Sequence, residues 1–349
     1  MVDNPDKNLI VDFLNLKHVL DFSPYIQHKT SKWLQTLLVK GLIGKTERQF
    51  SRLFTSRQPI CLVISEESIP LGFVALSPEN NTGTCWSISQ PRFFNKPKYN
   101  TVKKAKSVLL KSACSISPIK SKNLIAKSEI NDKDHISNLR EIGFQPLSTY
   151  TQWLIEAKSK LNNSTQYTSQ LDFDANWESL NQKNINQIWR LEQVSETSSV
   201  RMIINRDPGD VGQRINNYCG ALVQYRLNTK NIILGLILQV SIDEDLHLKL
   251  VRDLAFDSRI KSNISYLIKK FEDRNRAFSI EVSNEDIKVN EILKGLGFKQ
   301  ANEYILLGKS TLKRIDVRKL NTSTSSINKM IEKLNPRTPP LPSPSLEPR

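Results

Sequence analysis

Arg140-Glu-Ile-Gly-Phe-Gln-Pro-Leu-Ser-Thr-Tyr150 reads as the end of a helix, a glycine turn and the start of a strand, and the chain carries it twice. The second copy is Lys294-Gly-Leu-Gly-Phe-Lys-Gln-Ala-Asn-Glu-Tyr304, with the Gly-Phe pair and the tyrosine six residues beyond it both displaced by 154 positions. Working outward, Cys61-Leu-Val-Ile-Ser leading to Leu71-Gly-Phe-Val-Ala-Leu corresponds to Ala221-Leu-Val-Gln-Tyr leading to Leu234-Gly-Leu-Ile-Leu-Gln, at offsets of 160 and 163. Matched order at nearly constant spacing means two copies of one unit, not a solenoid of short repeats.

Each copy has the same local grammar. In the second, Ala221–Arg226 and Ile232–Ser241 flank the turn Asn228-Thr-Lys-Asn231, and His247–Val251 alternates apolar and polar as a half-buried strand does. Ile264, Leu267, Ile268 and Phe271 then fall on one helix face. Phe278–Val282 alternates again, and Asn284 is placed to cap a helix whose apolar stripe is Val289, Ile292, Leu293 and Leu296. Gly297 suits the left-handed position that ends it, and a strand follows through Tyr304. The first copy predicts a hairpin from Ile60 to Leu76, a strand near Cys85–Gln90 and a helix from Val102 to Cys114. A strand at Asn123–Ser128, a helix Asp132–Ile142 closed by Gly143 and a strand through Tyr150–Leu154 complete it.

The 349 residues exceed one ordinary domain, and 38% apolar content supplies real cores. The predicted organisation is a first domain over 1–157, a polar linker over 158–171, a second domain over 172–320 and a basic tail over 321–349. Prolines 336, 339, 340, 342, 344 and 348 make the end of that tail extended or disordered by expectation. No apolar run approaches the ~20 residues of a membrane helix. The N-terminal Met-Val-Asp-Asn-Pro-Asp has acids where a secretory signal would be basic and apolar, so the expected location is the cytoplasm, with no membrane partner. Cys61, Cys85, Cys114 and Cys219 are widely spaced and do not combine with His18, His28, His135 or His247 at metal-ligand spacing. Neither a disulfide framework nor a zinc site is expected.

Charge is unevenly spread. The net +15 comes from 50 basic and 35 acidic residues, and Asn80 to Ser128 holds ten basic residues and no acid. Such a field attracts a polyanion, so nucleic acid is one candidate partner of the basic first half. Glycine, at 12 of 349, is scarce against a usual ~7%, which disfavours glycine-rich phosphate loops.

The repeated order hairpin, strand, helix, strand, helix, strand, with Leu-x-x-Leu-Gly-Phe or its variant ending the last helix, resembles the GNAT acyl-CoA N-acyltransferase superfamily in both halves. The resemblance implies an α/β (α+β) protein of two tandem GNAT-like domains, each a mixed, mostly antiparallel twisted sheet flanked by helices. It further implies that the fourth strand splays from the fifth, that the pantetheine arm of acetyl-CoA lies in the gap, and that the next helix aims its N-terminus at the pyrophosphate through an Arg/Gln-x-x-Gly-x-Gly/Ala loop. A helix N-terminus suits this because it offers unpaired N–H groups and the positive dipole end. In the second copy the loop corresponds to Arg259-Ile-Lys-Ser-Asn-Ile-Ser, and Arg259, Lys261 and Ser262 are the implied pyrophosphate ligands. In the first it corresponds to Thr101-Val-Lys-Lys-Ala-Lys-Ser, with Lys103, Lys104 and Lys106 in that role. Neither loop keeps a glycine. Where many members carry a tyrosine acid, four residues before the Gly of Gly-Phe, this chain has Leu139 and Leu293, which cannot transfer a proton. Asp253 and Asp257 are the carboxylates available as a base, and Tyr150 and Tyr304 recur symmetrically on the closing strands. Two functions follow: an acetyl-CoA-dependent N-acetyltransferase acting on an unidentified amine, or a catalytically inactive GNAT-like pair that binds nucleic acid or a protein.

Overall fold

The computed structural model describes residues 9–15, 17–18, 21–22, 59–116, 121–155, 177–179, 181–216, 221–225, 232–239, 246–253, 261, 264 and 278–311. The predicted linker over 158–171, the turn at 228–231 and the proline-rich tail lie outside the described residues, as does most of the predicted helix beyond Ile264. Among the described residues no helix is long and apolar enough to cross a membrane.

In the first half the elements are β1 (Leu9–Phe13), β2 (Ile60–Glu66), β3 (Ile69–Pro78), β4 (Cys85–Ile88), β5 (Arg92–Phe93), α1 (Val102–Ile116), β6 (Asn123–Glu129), α2 (Lys133–Glu141) and β7 (Gln145–Ile155). In the second they are β8 (Trp177–Ser179), α3 (Ile185–Ser195), α4 (Ser198–Ile204), α5 (Pro208–Asn216), β9 (Ala221–Tyr225), β10 (Ile232–Gln239), β11 (Leu246–Arg252), β12 (Phe278–Ser283), α6 (Ile287–Gly295) and β13 (Lys299–Ser310). Gly143 and Gly297 close α2 and α6 at φ +96° and +88°, where a β-carbon would be strained. The expected cap at Asn284 is corrected. Asn284 lies in the turn that follows β12, its N–H bonding the carbonyl of Thr149 at 3.0 Å, and Asp286 caps α6 by accepting from the Val289 N–H at 3.3 Å. Asp132 caps α2 in the same way, through His135.

All these strands join one sheet in the order β1-β2-β3-β4-β6-β13-β7-β12-β11-β10-β9-β8, with β5 returning to β3. The pairs β4–β6 and β11–β12 are parallel and the others antiparallel. The final strands are exchanged. β7 leaves β6 and pairs with β12, while β13 leaves β12 and pairs with β6, so β13 and β7 meet at the centre. Leu307 of β13 is accordingly fully buried in the first half's core, with Trp86, Leu109, Leu124, Leu139 and Phe144 beneath α1 and α2. Each such leucine contributes roughly 2 kcal/mol by burial. Leu306, pointing the other way, packs with Cys85, Ile125 and Tyr150 under Val200 and Ile204 of α4.

Candidate functional site

The parallel pair β4–β6 lasts four rungs, Cys85↔Asn123 to Ile88↔Ala126, and then opens. Its cause is a bulge. Between the β3 partners of Ile88 and Arg92, the three residues Ser89, Gln90 and Pro91 stand against two, Val74 and Ala75. Pro91 has no N–H to give a ladder, and the Ser89 hydroxyl accepts the Ala75 N–H at 2.9 Å in place of a backbone carbonyl. The chain then presses Arg92 onto Gly72, where a β-carbon would lie 2.3 Å from the Arg92 carbonyl oxygen. The bulged strand thus follows β3 and departs from Lys127, Ser128 and Glu129 of β6. Across the mouth of this gap the Gln90 amide donates to Asp132 Oδ2 at 2.7 Å.

The connection from β5 to α1 is held by Glu66, a buried residue whose carboxylate accepts the backbone N–H groups of Lys98 and Tyr99 and the Asn100 amide at 2.8 Å. Burial acts to raise this carboxyl, but the hydrogen bonds outweigh it and hold it below its ordinary value. Thr101 then starts α1, its hydroxyl accepting the Lys104 N–H at 3.2 Å. Residues 102–106, aligned with the family's phosphate loop, are the first turns of the helix predicted from Val102. No acid occupies that first turn. Lys103 is exposed there and Lys104 and Lys106 are partly so, although cations are unfavourable at this end of a helix dipole unless an anion joins them. Beside them on α2, His135 and Asn138 are each 1% exposed, and neither ring nitrogen of His135 nor either amide atom of Asn138 has a partner.

The second half builds its gap differently. β11 and β12 pair over four rungs, Leu246↔Phe278 to Lys249↔Glu281, but β11 continues in unbroken register against β10 as far as Arg252. Arg252 reaches across to the cap of α6 with two bonds, Nε to Asp286 Oδ2 at 2.5 Å and Nη2 to Oδ1 at 2.7 Å. Lys261 is exposed, while Arg259, Ser262 and Asp257 lie outside the described residues. Asp253 follows β11, and its carbonyl accepts from Arg252 Nη1 at 2.7 Å. Leu139 and Leu293 are fully buried beneath their helices. Burial raises the phenols of both Tyr150 and Tyr304, and Tyr304 donates to Gln152 Oε1 at 3.1 Å.

Sequence reasoning missed Gln90, Glu66 and Arg252, whose partners are distant in the chain. It also missed the ion pairs of Glu196 with Lys249 and with Arg206, which Arg206 extends to Glu79 at 3.5 Å. A groove of about 470 Å³ beside α6 is lined by Thr151, Trp153, Asn284 and Asn290. Four of its polar groups pair with one another, Trp153 Nε1 with Asn290 and Thr151 Oγ1 with Asn284, both at 2.7 Å.

No protein-family model matches the chain, and no curated protein matches it in sequence. Solved structures do match in shape. A tandem GNAT protein from the clavulanic acid biosynthesis pathway, without AcCoA, aligns over 88% of this chain and 100% of its own at TM-score 0.57 and 9% identity. A GCN5-related N-acetyltransferase from Sphaerobacter thermophilus aligns over 90% and 99% at TM-score 0.51 and 8% identity. The GCN5-related glucosamine N-acetyltransferase region of a fungal multi-domain GH3 beta-N-acetylglucosaminidase gives TM-score 0.52 and 12% identity over 86% of this chain and 38% of that one. The fold is the tandem GNAT fold, a mixed and mostly antiparallel sheet flanked by helices.

Proposed function

We propose that the chain is an acetyl-CoA-dependent N-acetyltransferase whose acceptor is an amine. The carrying observation is the opening between β4 and β6 beside the acid-free, lysine-bearing start of α1. The residues fit an acyl-CoA in two respects. A polyphosphate at the start of α1 would meet the dipole and the charges of Lys103, Lys104 and Lys106, relieving an arrangement that is unfavourable in its absence. An extended amide-bearing arm would find unpaired backbone where β6 runs on past Ala126 without β4. Acetyl-CoA would supply the activated acyl group as a thioester. The chain's own work would be to hold that group by its phosphates and backbone contacts, so that the amine nitrogen bonds to the acyl carbon as the carbon–sulfur bond breaks. The proton lost by the amine would pass to solvent, and the thiolate would leave with the electron pair of the broken bond.

Thermal unfolding of the full chain with acetyl-CoA tests the reading, because a ligand that binds only the native state raises Tm with its concentration. We expect a rise of several degrees at roughly millimolar ligand, with thiol release once a suitable amine is added. No rise would overturn it. A salt-sensitive rise with RNA or DNA instead would replace it with the binding-module reading.

A further inference from the structure

The two gaps are not equivalent, and the geometry points to the first as the chain's acyl-CoA site, with the second held shut by Arg252 and Asp286. This rests on the acyltransferase reading above and adds which copy serves it. Two differences carry it. In the first half the strand beside the gap is bent away by the extra residue within Ser89–Pro91, leaving the facing backbone of β6 uncovered on that side. In the second, β11 has no extra residue, since each position from His247 to Arg252 has a single partner on β10.

The ties across the two mouths also differ in strength. Both end on the same carboxylate of the repeat, Asp132 and Asp286, which stand 154 residues apart and cap the corresponding helices. In the first half the donor is the neutral amide of Gln90, an exposed residue making one bond. In the second it is a guanidinium, 9% exposed, making two bonds in a planar fork. A single neutral bond at the surface exchanges readily with water. A bidentate, largely desolvated ion pair does not open without leaving two charges unpaired.

Substitution at Gln90 separates this assignment from the general reading. Gln90→Arg places the second half's tie in the first half, and although it adds a positive charge that would attract an anionic ligand, acetyl-CoA should bind about tenfold or more weakly. Gln90→Ala, which removes the tie, should bind at least as well as the unaltered chain. Arg252→Gln should leave the affinity unchanged. Calorimetric titration of each full-length protein with acetyl-CoA, each variant first checked for a cooperative melting transition, should give one site per unaltered chain. Two sites in the unaltered chain, undiminished binding by Gln90→Arg, or a loss in Arg252→Gln as large as that in Gln90→Arg would each overturn the assignment and leave the acyltransferase reading standing. No binding by the unaltered chain would overturn both.

Discussion

Tyr150 of β7 and Tyr304 of β13 are Cα partners across the central strand pair, although they are the same position of the two repeats. The coincidence extends outward. Lys127 and Glu281, again 154 apart, form an ion pair, and Lys127 Nζ also lies 4.5 Å from the centre of the Tyr304 ring. The N–H of Ile130 bonds the Glu303 carbonyl at 2.9 Å, and the N–H of Asn284 bonds that of Thr149 at 3.0 Å, each member displaced by 154 from its counterpart. A contact between equivalent residues is the mark of a local twofold relation. The repeat therefore has its axis between these tyrosines.

Strand exchange makes each half depend on the other. Residues 1–157 expressed alone would leave β6 without its β13 neighbour and β7 with neither of its own, exposing long unpaired edges. We expect that fragment to be insoluble or self-associated, with no cooperative melt as a monomer, and co-expression with residues 158–349 to restore one folded complex. Analytical ultracentrifugation and a thermal scan decide it. A monodisperse, cooperatively melting monomer would contradict the exchange.

The repeat was legible because strand and helix periods are local properties, and hairpin, helices and glycine turns fall where apolar spacing puts them. Which strand lies beside which is another matter. The alternation in Thr149–Trp153 is equally consistent with β6 or β13 as neighbour, since a pleat encodes a face and not a partner. The helices α3 to α5 went unread although Ile185, Ile188 and Trp189 keep helical spacing, because Asn and Gln interrupt the stripe. The ties at the gaps had no sequence signal: Gln90 and Arg252 look like ordinary surface polar residues until Asp132 and Asp286 are brought opposite them.

Glu196 joins two cations, Lys249 of β11 and Arg206 beyond α4, with its own side chain 8% exposed. Burial alone would lower both bases, but Glu196 heads the acids that hold them above their ordinary values. Glu196→Gln leaves two poorly solvated cations facing a neutral group, and should cost about 3 kcal/mol. Chemical denaturation checks the figure. A loss below about 0.5 kcal/mol would mean that water or other acids already balance the pair.

Glu66 ties the connection before α1, and its depressed carboxyl fixes the sign of a pH effect. The unfolded chain binds this proton more readily, so the contribution is present above the ordinary carboxylate range and is lost as pH falls through the lower folded value. Glu66→Gln should reduce Tm by several degrees near neutrality, because its amide sets N–H donors against the donors of Lys98 and Tyr99. It should also flatten the acid limb of the stability curve below about pH 4. Hydrogen exchange at the amides of Lys98 and Tyr99 should quicken in the variant, and unchanged protection there would remove Glu66 as the clamp.

His135 adds a second acid-sensitive step, at higher pH than that of Glu66. Burial lowers its imidazole below the ordinary value, Lys106 adds to the shift, and Asp132 opposes it without cancelling it. The unfolded chain therefore takes up a proton near pH 6.5 that the folded chain refuses, so stability rises with pH and falls on acidification below that point. His135→Leu removes the titration together with two buried nitrogens that have no partner, so its Tm near neutrality should equal or exceed that of the unaltered chain. Between about pH 7 and 5.5 the unaltered chain should lose Tm while the variant holds it. Parallel slopes for the two proteins would assign the acid sensitivity to other groups and leave His135 a passive filler between α1 and α2.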